Sequence, residues 1–192
     1  MMKIWNLSIY LAVGCAITII LSLPADARMK GASVPFSANW AHYVDGELLD
    51  GGKYYAASQS VRLEGMEGNN PYIVIHDFKK QVSLYIYVPH REYIQVPMEP
   101  ARLRYDFAQF GSPCPPAARA ERIGKDTLNS REVEKWTCDI PGEGTETVWY
   151  DTRLQTAILS QGDDDYIQLT DIQEGHQPAS LFAPPANFTK SD

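Results

Sequence analysis

Short strand-like segments separated by turn residues are the feature that most constrains how this chain folds. Residues 133–160, "VEKWTCDIPGEGTETVWYDTRLQTAILS", contain three bursts of apolar and aromatic residues cut by "PGEGT" and "DTR". Short connections with Gly and Asp typically join antiparallel neighbours. Similar segments fill residues 36–97, and one of them, "KYYAASQSVRLEG" (53–65), is interpreted as a single strand with Tyr55, Val61 and Leu63 on one face. The sequence therefore predicts a mainly β chain with antiparallel strands.

The segment "VSLYIYV", residues 82–88, indicates a sheet that is covered on both faces. Its aliphatic residues alternate with Ser83, Tyr85 and Tyr87. A sheet with one solvated face would carry a polar residue at every second position. We expect the aliphatic face to pack on a core and the tyrosine face to meet a helix, a partner or a cavity.

Residues 100–132 interrupt the strands. In "ARLRYDFAQF" a weak helical spacing lets Leu103, Phe107 and Phe110 share a face. The segment "GSPCPP" ends this pattern, and "AARAERIG" is expected to form one or two helical turns. The insert is too short to form a domain of its own, so residues 28–192 are predicted to be a single domain.

The first 27 residues have the order of a secretory signal peptide. Lys3 provides a positive start, Leu7 to Leu23 are almost wholly apolar, and Ala25 and Ala27 occupy the small-residue positions of a cleavage site. Cleavage after Ala27 would place the mature chain in the periplasm or the medium. No later apolar run is long enough to span a bilayer, so the mature protein is expected not to cross the membrane.

Two alternatives remain open for this terminus. The apolar run approaches the length of a membrane-spanning helix, so it is compatible with a permanent anchor. Cys15, which follows "LAVG", faintly resembles a lipoprotein processing site. Cleavage at Cys15 would leave an apolar run at the new terminus, whereas the site at Ala27 would not.

Charge and cysteine content narrow the class of protein further. The net charge is −7 at pH 7, which argues against nucleic acid or anionic lipid as the main partner.

Cys114 and Cys138 remain after the predicted cleavage, and an even number of cysteines in an exported chain suggests one disulfide. In the loop-entropy model such a disulfide contributes about 3.5 kcal/mol to stability. The alternative is a cysteine pair that binds metal, but no second pair accompanies it.

Catalytic signatures are missing from the sequence. It contains neither G-x-S-x-G nor H-E-x-x-H, and its four histidines are scattered. His76 and Asp77 are adjacent on a strand, so their side chains point to opposite faces, and each histidine is expected to have an ordinary surface or turn role. Asp163 to Asp165 fit a solvated turn better than a cation site. We therefore predict a chain that is not an enzyme and that holds no metal or cofactor.

Four segments, taken in order, resemble a known superfamily. "GGKYYAASQSVRLEG" carries an Arg followed by an acidic residue, Arg62 and Glu64, and "IVIHDFKKQVSLYIYVPHREYIQV" matches the hairpin that follows. "TVWYDTRLQTAILSQ" matches a later hairpin, and "QPASLFAPPANFTK" matches a closing motif. Together they resemble the exported LolA-like superfamily, which includes LolA, LolB and RseB half-barrels, and most closely an uncharacterised secreted branch of it.

The resemblance implies a fold and a function. The fold is a curved antiparallel sheet that forms an open, incomplete β-barrel around one or more short helices, and its concave side holds a cavity for an acyl chain, lipid or lipoprotein. The candidate residues that line this cavity are Tyr85 and Tyr87 on one side and, on the opposite side, Trp149, Ile158 and Tyr166. Phe107 and Phe110 are candidates for a helical plug. The same residue types also fill ordinary cores. The alternative function is an RseB-like envelope sensor or interaction module that docks a protein partner and holds no ligand.

Overall fold

A computed structural model describes residues 29–191 of the chain. The predicted signal peptide, with Cys15 and the cleavage site after Ala27, lies outside the described residues. Within the part that is described, no helix has the length and apolar character needed to cross a membrane.

Among residues 29–191, twelve strands form one open sheet. Their bounds are β1 Phe36–Val44, β2 Glu47–Ala57, β3 Ser60–Glu67, β4 Asn70–Asp77, β5 Val82–Tyr87, β6 Glu92–Pro97, β7 Arg119–Leu128, β8 Arg131–Ile140, β9 Gly144–Asp151, β10 Thr156–Gln161, β11 Asp165–Glu174 and β12 Thr189–Lys190. The strand order is β12-β6-β5-β4-β3-β2-β1-β11-β10-β9-β8-β7, and only the short β12–β6 pair is parallel. The predicted mainly β, curved and open antiparallel sheet is confirmed.

Two local predictions about the strands are wrong. The single strand expected over residues 53–65 is two strands, because the chain turns at Ser58 and Gln59 between β2 and β3. The turn reverses the alternation, so that Tyr54, rather than Tyr55, is buried on the same face as Leu63. The segment "AARAERIG", expected to be helical, contributes the start of β7, which pairs with β8 along its whole length.

A segment that we call the strap, residues 98–111, covers one face of the sheet, the inner face. It contains the only α-helix among residues 29–191, the four-residue α1 Pro100–Leu103, and then continues through turns. Phe107 has a φ of 50°, so the predicted helix does not extend that far. Leu103 and Phe107 are buried in the main core together with residues from both halves of the sheet.

Hydrogen bonds and a disulfide hold the strap on the sheet. The Tyr54 hydroxyl donates to the Phe107 carbonyl at 2.8 Å, and the Gly111 amide donates to the Gln155 carbonyl at 2.8 Å. Just beyond the strap, Cys114 forms the expected disulfide with Cys138 in β8, with Cα atoms 5.6 Å apart. The strap is therefore anchored to β2 and to the half of the sheet that contains β8 to β10.

On the opposite, outer face the C-terminal tail covers the part of the sheet formed by β3 to β6. Leu84 and Ile86 of β5 cluster with Phe182 and Phe188 of the tail. Arg62 reinforces this contact, because its guanidinium donates to the Leu181 carbonyl at 3.0 Å and pairs with Glu64 at 2.7 Å. The aliphatic face of β5 thus packs on the tail, and Ser83 and Tyr85 face the strap side.

Candidate functional site

A cavity of about 580 Å³ lies beside the strap, on the half of the sheet that contains β3, β4 and β5. Its volume falls in the range typical of small-ligand sites. Five aromatic side chains line it: Trp40, Tyr72, Tyr85, Tyr87 and Tyr105. Aliphatic residues that include Leu49, Leu63, Met66, Val74 and Ile167 form much of the remaining wall. The strap leaves this part of the inner face incompletely filled.

Apolar side chains at the mouth of the cavity are exposed to solvent. The exposed fractions are 64% for Leu49, 44% for Met66, 45% for Tyr87 and 50% for Tyr105. Isolated exposed apolar residues are common on protein surfaces, but a group that rims a concavity marks a contact site. The mouth is therefore suited to receive an apolar group.

Three carboxylates, Asp50, Glu67 and Asp106, also line the cavity, and the lining contains no lysine or arginine of the described chain. The one basic side chain in the lining is His42, whose Nε2 lies 3.5 Å from a carboxylate oxygen of Asp165 outside the cavity. The site is therefore both apolar and acidic.

Asp50 is held rigidly in place. One of its oxygens accepts from the Gly51 amide at 2.6 Å and from the Met66 amide at 2.9 Å, and the other accepts from the Tyr72 hydroxyl at 2.6 Å. Burial and the hydrogen bond to Asp50 raise the pKa of Tyr72 well above its usual value, and the nearby negative charges add to this effect. Tyr72 therefore remains a neutral donor at physiological pH.

Asp106 is fixed by a buried histidine. His76 is 1% exposed; its Nε2 lies 2.8 Å from an oxygen of Asp106 and its Nδ1 lies 2.9 Å from the Ser83 hydroxyl. A proton on Nε2 satisfies all three groups, because Nε2 then donates to the carboxylate while Nδ1 accepts from the hydroxyl. The expectation of a surface or turn role for His76 is wrong. Its partner lies thirty residues further along the chain, where no local pattern indicates it.

These three residue types also form catalytic triads, but the arrangement here lacks an accessible nucleophile. Ser83 is 2% exposed and does not line the cavity. A nucleophilic hydroxyl must reach a substrate carbonyl as well as its base. The chain Ser83–His76–Asp106 therefore positions a carboxylate. No group of three or more potential metal ligands occurs among residues 29–191.

The structure brings only part of the predicted site together. Tyr85 and Tyr87 line the cavity. Phe107 is buried in the core beside a separate hollow of about 50 Å³. Phe110 packs edge-on against Phe78 with ring centroids 6.2 Å apart, beside a groove on another side of the strap.

The three residues expected opposite the tyrosines lie away from the cavity. Trp149 and Ile158 are buried in the main core, where the Trp149 indole donates to Asp126 at 2.9 Å. Tyr166 stacks on Tyr43 with ring centroids 4.6 Å apart. Sequence reasoning missed Trp40, Tyr72 and the two aspartates. Of these, only Tyr72 could have been identified from its place in the sequence, because its strand pairs with β5 and places it opposite Tyr87.

Comparisons with known proteins rest on structure alone. No protein-family model matches the chain, and no curated protein matches it significantly. An uncharacterised conserved protein from Thermus thermophilus superposes with a TM-score of 0.55 at 9% identity, over 83% of this chain and 90% of that chain.

MucB of Pseudomonas aeruginosa, in complex with MucA, superposes with a TM-score of 0.50 at 12% identity, over 84% of this chain. A second MucB structure gives a TM-score of 0.52 at 10% identity over 81% of this chain. The match spans 58% and 59% of the two MucB chains, so more than a third of MucB has no counterpart in this chain. At such identities the likeness shows the fold alone. The chain shares its fold with these proteins, and its curved open sheet is the half-barrel that the resemblance to the LolA-like superfamily predicted.

Proposed function

We propose that this chain is a non-enzymatic exported protein that holds an apolar ligand, an acyl chain or another lipid-like group, in the cavity beside the strap. The observation that carries this proposal is the cavity of about 580 Å³, walled by aromatic and aliphatic side chains, with an exposed apolar rim. Each methylene that leaves water for such a wall contributes about 0.8 kcal/mol before the losses of immobilisation. A medium-length alkyl chain therefore binds without covalent chemistry.

We also propose the compartment in which the protein acts and the residues that form its mature domain. Residues 1–27 act as a signal peptide that is removed after Ala27, and residues 28–192 form one half-barrel domain in the periplasm or the medium. The disulfide between Cys114 and Cys138 supports an oxidising compartment. Tyr85 and Tyr87 are the sequence-predicted residues assigned to the ligand site.

Two adjacent leucines provide a matched test. Leu49 and Leu48 are 64% and 61% exposed, but only Leu49 lines the cavity. The affinity of the mature protein for a neutral fluorescent apolar probe, N-phenyl-1-naphthylamine, is measured by titration. We expect Leu49→Asn to weaken binding about three- to tenfold, because it removes apolar surface from the mouth, and Leu48→Asn to leave it unchanged. Equal effects of the two substitutions, or an absence of probe binding, contradict the proposal.

The second candidate function is an envelope interaction or sensor module that docks a protein. The observation in its favour is the likeness to MucB, which has been solved in complex with MucA. Native mass spectrometry of the protein purified from its own envelope separates the two functions. A bound ligand of lipid-like mass supports the first, and a clean apo mass together with a co-purified envelope protein supports the second.

A further inference from the structure

The charge of the cavity lining restricts the head group of a ligand, if the cavity is a ligand site as proposed above. Asp50, Glu67 and Asp106 contribute three carboxylates, and among the described residues no lysine or arginine lines the wall to balance them. Arg102, near Tyr85, is itself paired with Glu99 at 3.0 Å. An anionic head group would therefore enter a region of like charge.

Two of the three carboxylates are unable to turn away from the cavity without losing their partners. Asp50 is held by two backbone amides and by Tyr72. Asp106 is held by His76, which is buried and has the Ser83 hydroxyl on its other nitrogen. Fixed charges of this kind need no reorganisation when a counter-charge arrives, and preorganisation favours binding.

The neighbouring tyrosines respond to this negative potential. The pKa of Tyr72 is raised by burial first, then by its hydrogen bond to Asp50, and further by the charges of Asp50, Asp106 and Glu67. The pKa of Tyr85 is raised by burial and then by the charge of Asp106, while the hydrogen bond and the charge of Arg102 act in the opposite direction and leave a net increase. The pKa of Tyr54 is also raised, first by burial and then by the charge of Asp106. At Tyr72 all three carboxylates of the cavity disfavour a phenolate, and the same arrangement of carboxylates favours a cation.

Aromatic rings share the site with these carboxylates. Trp40, Tyr72, Tyr85 and Tyr87 line the same cavity, and the faces of such rings attract ammonium groups. Carboxylates and aromatic faces together recognise a cation that is joined to apolar mass. We propose that the cavity selects amphiphiles whose head group is a single cation, a protonated amine or a quaternary ammonium, over neutral and anionic amphiphiles with the same alkyl chain.

The test compares three amphiphiles built on a twelve-carbon chain that differ in the head group. Dodecyltrimethylammonium, a dodecyl ethylene-glycol ether and dodecanoate are titrated into the mature protein below their micellar concentrations, by calorimetry. We expect the cation to bind about tenfold more tightly than the neutral ether and dodecanoate to bind about tenfold more weakly, with both ratios shrinking as salt is raised.

Three charge-removing variants locate the effect. Asp106→Asn retains an oxygen that can accept the His76 proton, and Glu67→Gln changes a carboxylate that has no lysine or arginine partner among residues 29–191. Each is expected to lower the ratio of cationic to neutral affinity about threefold. Glu132→Gln removes the same charge from an exposed position of β8 that does not line the cavity, and should leave the ratio unchanged.

The outcomes are distinct. If the neutral ether binds but the cation does not bind more tightly, the head-group inference fails and the ligand-binding function stands. If Glu132→Gln lowers the ratio as much as Glu67→Gln, the preference reflects the overall acidity of the chain and the inference also fails. If none of the three ligands binds, both the inference and the proposed function fall.

Discussion

The hydrogen bond from Tyr54 to the strap offers the sharpest test of how the inner face is held. The Tyr54 ring is fully buried and its hydroxyl lies 2.8 Å from the Phe107 carbonyl oxygen. Tyr54→Phe removes this one donor and keeps the ring, which contacts Phe36 and Phe107 at centroid distances of 5.5 and 6.0 Å. Any loss of stability therefore reports the hydrogen bond rather than a cavity.

The expected magnitude follows from what the Phe107 carbonyl retains. The Thr156 hydroxyl lies 3.4 Å from that oxygen and 3.2 Å from the Gln109 carbonyl, so it is a weak substitute donor. We expect Tyr54→Phe to lower the free energy of unfolding by about 1–2 kcal/mol, and Thr156→Val by about 1 kcal/mol. The double variant leaves a buried carbonyl without a side-chain donor, so its loss should exceed the sum of the two by about 1 kcal/mol.

Equilibrium unfolding in urea measures these free energies. The midpoint should fall while the slope stays constant, because the folded surface is unchanged. Tyr43→Phe is the control: Tyr43 stacks on Tyr166, and no hydrogen bond of its hydroxyl is found among residues 29–191. If Tyr54→Phe matches Tyr43→Phe, or if Tyr54→Phe and Thr156→Val are strictly additive, then the hydroxyl does not anchor the strap.

Three further predictions concern the covalent and packing restraints of the sheet. Replacing Cys114 and Cys138 together by Ala should lower the free energy of unfolding by about 3.5 kcal/mol. A loss below about 1 kcal/mol in urea unfolding contradicts a stabilising role of the disulfide. Gly52→Ala should destabilise by about 1–3 kcal/mol, because the new Cβ would lie 2.0 Å from the Glu64 carbonyl oxygen; an unchanged melting temperature is the contrary result. Hydrogen bonds from two arginines lower the pKa of Glu174, so the carboxylate stabilises the fold above the ordinary glutamate pKa and this contribution is lost as pH falls through the lowered value. Glu174→Gln should therefore destabilise by about 0.5–1 kcal/mol at neutral pH and by much less near pH 3, and a difference that persists in acid refutes the charge-based cause.

The strands that sequence patterning predicts well are those with alternation and marked turns. The boundaries of β8 and β9 follow from "EVEKWTCDI", "PGEGT" and "ETVWYD", because Pro and Gly mark the chain reversal. The turn at Ser58 and Gln59 carries no Gly, Pro, Asn or Asp, so nothing local separates β2 from β3. The edge strand β7 is exposed along most of its length and has no buried face to create alternation.

The candidate site was only partly predictable for a different reason. Tyr85 and Tyr87 stand out because β5 is apolar on both faces, and one of those faces had to meet something other than the core. Trp149 and Ile158 have equally suitable side chains, but their half of the sheet lies under the strap and is filled. Which half the strap fills depends on the Cys114–Cys138 link and on other tertiary contacts, and composition does not encode it.

The uneven anchoring of the strap explains why the cavity and the fixed charge occur together. Toward β8–β10 the strap is held by the neighbouring disulfide and by hydrogen bonds to Gln155 and Thr156, and that side is packed. Toward β4 and β5 it is held by the Met98 amide, which donates to the Gln81 carbonyl at 3.0 Å, and by the contact of Asp106 with His76, and that side is hollow. A carboxylate at the edge of an apolar cavity lowers stability unless a partner offsets its lost hydration. The hydrogen bond with His76 is that partner, and the same carboxylate lines the cavity, so Asp106 serves both the fold and the proposed recognition.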